Sequence, residues 1–194
     1  MTIYKAKRHQ NIFSVGFITF IALSLCLLAS HALSSNSDFK MQDVINSFYN
    51  IYMSVRPSGV PTEKELQELK PYLSASLIGL LKEARRAEEQ YAKKTKGEAP
   101  PLVEGDLFTS LFEGATEFRI LTCDARTDSC LVSFSYVEET RDSSPITWRD
   151  NVYLVKDSQG WLVDDIDFLG DWEFMHKGRL KELLKEVIQE GNDD

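Results

Sequence analysis

The stretch "GWLVDDIDFLGDW", residues 160–172, places Asp164, Asp165, Asp167 and Asp171 within eight positions. Carboxylates at that density suit three roles. Burial can raise one of them into the range of a general acid or base; several together can hold a cation weakly; or they can sit at the solvated end of a strand. Neighbours in an extended chain point to opposite faces, so Asp164 and Asp165 cannot pair with each other. Asp165 and Asp167 share a face, with Cα atoms about 6.5–7 Å apart. If "DSQG" closes a hairpin with Lys156 opposite Trp161, then Val152 faces Asp165 and Asp150 faces Asp167. That register gathers Asp150, Asp165 and Asp167 on one surface, with Trp148 and Trp161 as an apolar wall. The candidate pocket is this constellation, with Asp165 as its acid or base. Like charges directly opposed destabilise a strand pair unless water or a cation separates them. A structural or solvated role for the same aspartates therefore stands beside the catalytic and cation-binding ones.

The rest of the inventory is sparse. His9 and His31 lie in an N-terminal leader, which leaves His176 as the one histidine beyond it. A Ser–His–Asp triad would have to use that residue, near the start of the last helix, where a surface or helix-boundary role is the plainer expectation. No loop has the oxygen-ligand spacing of a dedicated calcium site, and histidine–cysteine zinc sites fall away if the cysteines are bridged. Neither a P-loop nor G-x-G-x-x-G occurs, so no metal and no cofactor is expected.

The elements that must position these residues are legible from periodicity. From Ser37, the spacing of Met41, Val44, Ile45, Phe48, Ile51, Tyr52 and Val55 predicts an amphipathic helix, ended by "RPSGVP". Thr62 and Glu65 form a capping box for a second helix, kept short by Pro71. A third begins near Ser74 and buries Leu77, Leu80, Leu81, Ala84 and Tyr91, with a solvated, mixed-charge far end. "GEAPPL" is a linker, and "DLFTSLFEGA" is expected to add one or two helical turns. The period then changes to two over 118–123, 130–138, 146–156 and 161–168, the last read as the final strand of the sheet. A closing helix buries Leu180, Leu183, Leu184, Val187 and Ile188, and Gly191 begins a frayed end. Helices first and a strand meander after them predict an α+β domain, with helices on one face of an antiparallel sheet of about four or more strands.

Residues 1–32 read differently. Lys5, Lys7 and Arg8 precede an apolar run over 12–28, and Ser30 and Ala32 occupy the −3 and −1 positions of a cleavage site after Ala32. The expectation is a signal peptide, with an anchor retained at 12–28 as the alternative; Cys26 follows Leu25 and so lacks a lipobox. Beyond it, 33–194 forms a single domain. The leader holds three basic residues and no acidic ones, so the net charge of −8 becomes −11 without it. A chain that acidic, with no basic stripe, is no nucleic-acid binder. Cys123 and Cys130, an even pair in an exported chain, are expected to close a disulfide across the mouth of a β-hairpin.

"FY" at Phe48 and Tyr49, "PYLS" from Pro71 to Ser74, "WRDNV" from Trp148 to Val152, "WLVDDIDFLG" from Trp161 to Gly170 and "GRL" from Gly178 to Leu180 follow one another in that order. Together they resemble the bacterial envelope family called domain of unknown function 3828, over about residues 38–184. The resemblance implies a nuclear-transport-factor-two-like (cystatin-like) cone, in which helices lie across a curved antiparallel sheet, and a place in the cell envelope. It implies no catalytic residues. The expected function is a non-enzymatic binding or accessory module for another envelope protein in the periplasm. The alternative is a small-molecule carrier or acid–base enzyme using the aspartate-lined cavity.

Overall fold

The computed structural model describes residues 40–138, 144–172 and 175–193. The leader, its cleavage site and the 12–28 anchor lie outside the described residues. Helix α1 covers 40–55 and buries Met41, Ile45, Phe48, Tyr49 and Tyr52. Helix α2, Glu63–Leu69, starts at the expected box: Glu65 Oε2 accepts from the Thr62 backbone N–H at 2.7 Å, and the Thr62 hydroxyl accepts from the Glu65 N–H at 3.4 Å. Pro71 falls in a 3-10 turn, Lys70–Tyr72, that ends it. Helix α3, Ala75–Lys94, is capped by Ser74 Oγ, which accepts from the Leu77 N–H at 3.0 Å. It buries Leu77, Leu81, Ala84 and Ala87, while Leu80 and Tyr91 stay half-buried.

Strands β1 (Glu117–Asp124), β2 (Ser129–Tyr136), β3 (Ile146–Lys156), β4 (Trp161–Phe168) and β5 (Gly178–Arg179) make one antiparallel meander in sequence order. Helix α4, Leu180–Asn192, follows directly. The fold is α+β, helices before the sheet and one after it, as the change of period predicted. Burial alternates along β3, where Trp148, Asp150, Val152 and Leu154 face the core and Arg149, Asn151 and Tyr153 face away. A large share of the core is aromatic, with Phe48, Tyr49, Tyr52, Phe108 and Phe134 in mutual ring contact. Among the described residues no helix is long and apolar enough to cross a membrane.

Three expectations need correction. Strand β4 is not the last: Gly178 and Arg179 pair with Phe168 and Asp167 outside it. Gly191 is no frayed end but a buried residue of α4, where an added Cβ would lie 2.7 Å from the Ala87 Cβ of α3. Glycine there lets α3 and α4 touch. Finally, "DLFTSLFEGA" forms no helix; residues 105–114 run as bends and turns. Leu107, Phe108, Thr109 and Ser110 are fully buried in it, and the Phe108 and Ser110 N–H groups are held by carboxylates instead of by a helical ladder.

Candidate functional site

The register of β3 against β4 decides the fate of the aspartate constellation. Lys156 does stand opposite Trp161, as the hairpin turn predicted. Leu154 pairs with Val163, but Tyr153 pairs with Asp165, so Asp164 is an extra residue, a β-bulge. The bulge slips every later pair by one: Asn151 faces Asp167 and Asp150 faces Phe168. A one-residue slip exchanges faces. Asp150 therefore turns into the core with Val152, while Asp165 and Asp167 lie on the opposite side with Tyr153 and Asn151. The three carboxylates are not gathered.

The tryptophans are apart as well. Eight residues of β3 separate Trp148 from the partner of Trp161, about 27 Å at strand rise. Trp148 stacks on Phe134 at 5.6 Å and meets the Trp172 edge at 6.1 Å. Trp161 lines a cleft of about 670 Å³ at the other end of the sheet, with Gln67, Lys70, Leu73, Ile78 and Leu162. The Lys156 Nζ lies 5.8 Å from its ring, and among the described residues the buried Trp161 indole N–H meets no acceptor. The two indoles wall no common cavity.

Asp164 and Asp165 bond to the starts of helices instead. Asp164 Oδ1 accepts from the Ser74 hydroxyl and from Lys181 Nζ, both at 2.6 Å. Ser74 is the cap of α3, and its own N–H donates to the Val163 carbonyl at 2.8 Å. Asp165, 6% exposed, accepts from the Lys181 backbone N–H at 3.0 Å, and its Oδ2 lies 3.5 Å from Arg179 Nη1. Position 179 precedes α4 and its arginine has no acceptor to offer the helix, so Asp165 supplies the cap from the neighbouring strand. The Arg179 guanidinium in turn stacks 4.1 Å over Tyr153. The bulge thus aims two successive carboxylates at the N-termini of α3 and α4. Asp167 is half-buried beside Arg179 and Asn151, and Asp171 is exposed.

Asp150 is fully buried. It accepts from the Ser110 N–H at 2.9 Å, the Leu169 N–H at 3.1 Å, the Trp148 indole N–H at 3.1 Å and the Ser110 hydroxyl. Burial pushes its pKa up, opposed by these donors.

The sequence reading missed a second buried carboxyl, Asp106. It is 4% exposed and accepts from the Phe108 N–H at 2.9 Å, from the Thr109 hydroxyl and from the Tyr52 hydroxyl. Desolvation raises it to about 6, and buries Tyr49 and Tyr52 in their protonated forms. Its local signal was "GDLFT", an aspartate just before buried backbone with a hydroxyl three residues on. His176 belongs to this region: its Nε2 donates to the Asp106 carbonyl at 2.6 Å, and burial lowers its pKa. Ser110, Asp150 and His176 lie near one another without forming a triad, because the Ser110 hydroxyl donates to Asp150 and His176 donates to a backbone oxygen. Among the described residues no three His, Cys, Asp or Glu side chains are grouped to hold a metal.

Cys123 and Cys130 stand directly opposite each other in β1 and β2, Cα atoms 4.0 Å apart, and are bonded. Such a bond fits an oxidising compartment.

No family model matches the chain, and no curated protein matches it. Among solved structures, a protein of unknown function from Bacteroides thetaiotaomicron VPI-5482 is similar, with 11% identity and a TM-score of 0.39. The match covers 74% of this chain and 98% of that one. A TM-score at that level bears on neither fold nor function.

Proposed function

We propose that the chain is an exported, non-enzymatic binding or accessory module that engages another protein of the cell envelope, in the periplasm. The observation that carries this reading is the occupation of the carboxylates. Asp150 accepts from four donors, Asp164 from two and Asp165 from the first turn of α4 with Arg179 beside it. Groups so engaged are committed to the fold, and the acid–base alternative loses the cavity it required. The Cys123–Cys130 bond supports the compartment, and the run of motifs resembling the 3828 unknown-function family supports the envelope setting.

The test is crosslinking in intact cells, with a photoreactive residue at Thr122 on β1, which is exposed and pairs on one side only with β2. A second probe at exposed Glu186 on α4 serves as control. The proposal expects one envelope protein recovered in near-stoichiometric amount from one position and not the other. A chain that crosslinks to nothing at either position contradicts it.

A further inference from the structure

The cleft beside Trp161 has a volume of about 670 Å³. One wall is the corner where α2 gives way to α3, with Gln67, Lys70, Leu73 and Ile78; the other is the β3–β4 hairpin, with Trp161 and Leu162. Hydrogen bonds fix both walls. Leu73 bridges to Val163, and the Ser74 N–H donates to the Val163 carbonyl at 2.8 Å, which ties the corner to β4. The hairpin closes with the Asp157 N–H on the Gly160 carbonyl at 2.9 Å, while the Asp157 side chain accepts from the Gln159 and Gly160 N–H groups at 2.7 and 3.0 Å. Walls ordered before anything binds spare a ligand the cost of ordering them.

The chemistry of this cleft is one-sided. Leu73, Ile78, Leu162 and the Trp161 ring make it apolar. The carboxylates at its edge are engaged, Asp157 by its own turn and Glu63 by the Gln67 amide at 2.6 Å. The cations are not. Lys70 is exposed on the rim and Lys156 stands over the Trp161 ring; among the described residues neither ammonium pairs with a carboxylate. Trp161 is only 8% exposed, and its indole N–H, a donor that cannot accept, has no partner there. The Trp148 indole, by contrast, donates to Asp150 at 3.1 Å. Buried donors are almost always paired, so this wall of the cleft wants an acceptor from outside the chain.

We propose that this cleft binds a small monocarboxylate with an apolar tail. One carboxylate oxygen accepts from the Trp161 N–H, Lys70 and Lys156 balance its charge, and the tail lies against Leu73, Ile78 and Leu162. An alcohol of the same length offers an acceptor but no charge for the two lysines to answer, and a cationic amphiphile is repelled by them. None of the aspartates of β4 takes part. The site goes beyond the envelope-partner reading and stands or falls apart from it.

The experiment is a nitrogen–proton NMR titration of the chain as purified from cells, with octanoate as the probe and octanol as its uncharged match. The chain has three tryptophans, and the indole signal of Trp161 is the one lost in Trp161→Phe. On addition of octanoate that signal should move downfield and saturate, while the Trp148 signal, whose N–H already donates to Asp150, stays in place. Octanol should bind at least about fivefold more weakly, and Lys70→Ala should weaken octanoate about fivefold, the worth of one exposed ion pair. Lys70 is exposed, so its truncation leaves the fold intact. A Trp161 signal that stays in place or never saturates, octanol binding as well as octanoate, or Lys70→Ala binding like the parent would overturn the site.

Discussion

At the scale of single residues, the two buried aspartates make opposite predictions for the same substitution. Three of the four partners of Asp150 are N–H groups, with at least one on each carboxylate oxygen, so the amide of Asp150→Asn would press its NH2 against an N–H in either orientation. A loss of about 2–3 kcal/mol is expected, and more for Asp150→Ala, which strands four donors. Asp106→Asn should cost about 1 kcal/mol or less below pH 3.8, because the Thr109 and Tyr52 hydroxyls can reverse, and should stabilise the chain at pH 7, where the parent has lost that proton. Urea midpoints of the two variants check the contrast. The pH dependence has a definite sign. The folded chain keeps the Asp106 proton up to about 6, whereas the ordinary value is 3.8, so the unfolded chain releases it first as pH rises. The stability this carboxyl contributes is full below 3.8 and is lost as pH climbs through about 6. A two-unit shift corresponds to about 3 kcal/mol. Subtracting the Asp106→Asn profile from the parent's should expose that loss, and parallel profiles would contradict it. Little of this was legible in the sequence. Alternation assigned Asp164 and Asp165 to opposite faces, but nothing local announces that the chain bulges at Asp164, and the bulge decides which aspartate enters the core.

At the scale of elements, legibility followed the range of the signals. Thr62 and Glu65, Ser74, Pro71 and the turn "DSQG" act over a few residues, and the helix starts and the hairpin lie where they predict. The stretch 105–114 misled because Leu107, Phe108, Leu111 and Phe112 mimic a helical stripe. Asp106 competes for the local N–H groups, and positive-φ Gly105 and Gly114 bound the segment. The capping of α4 by Asp165 is long-range and left no local trace. The junction between α3 and α4 gives a prediction of its own. Gly191→Ala raises helix propensity yet should destabilise by about 1–2 kcal/mol, because its Cβ would lie 2.8 Å from the Ala87 carbonyl oxygen. A thermal melt in which Gly191→Ala is neutral or stabilising would deny that contact. Reducing the bond between β1 and β2 should cost about 2.5 kcal/mol, the loop entropy of its short closure.

At the scale of the whole molecule, the change from helical to strand periodicity carried the α+β class, and the cysteine count carried the disulfide. The site did not follow, because it depended on the strand register and on tertiary partners. The acidic strand that suggested chemistry emerges as the junction of the fold: β4 meets the cap of α3 through Asp164 and the start of α4 through Asp165. The central claim is that these carboxylates hold helices to the sheet and leave function to the surface. Equilibrium urea unfolding of Asp164→Ala/Asp165→Ala beside the parent tests it most directly. Loss of a hydroxyl partner, a lysine partner and a helix cap predicts a drop of about 3 kcal/mol with an unchanged slope. Unfolding at the parent's midpoint would show that the two aspartates do not hold the fold, and would return them to candidate chemistry.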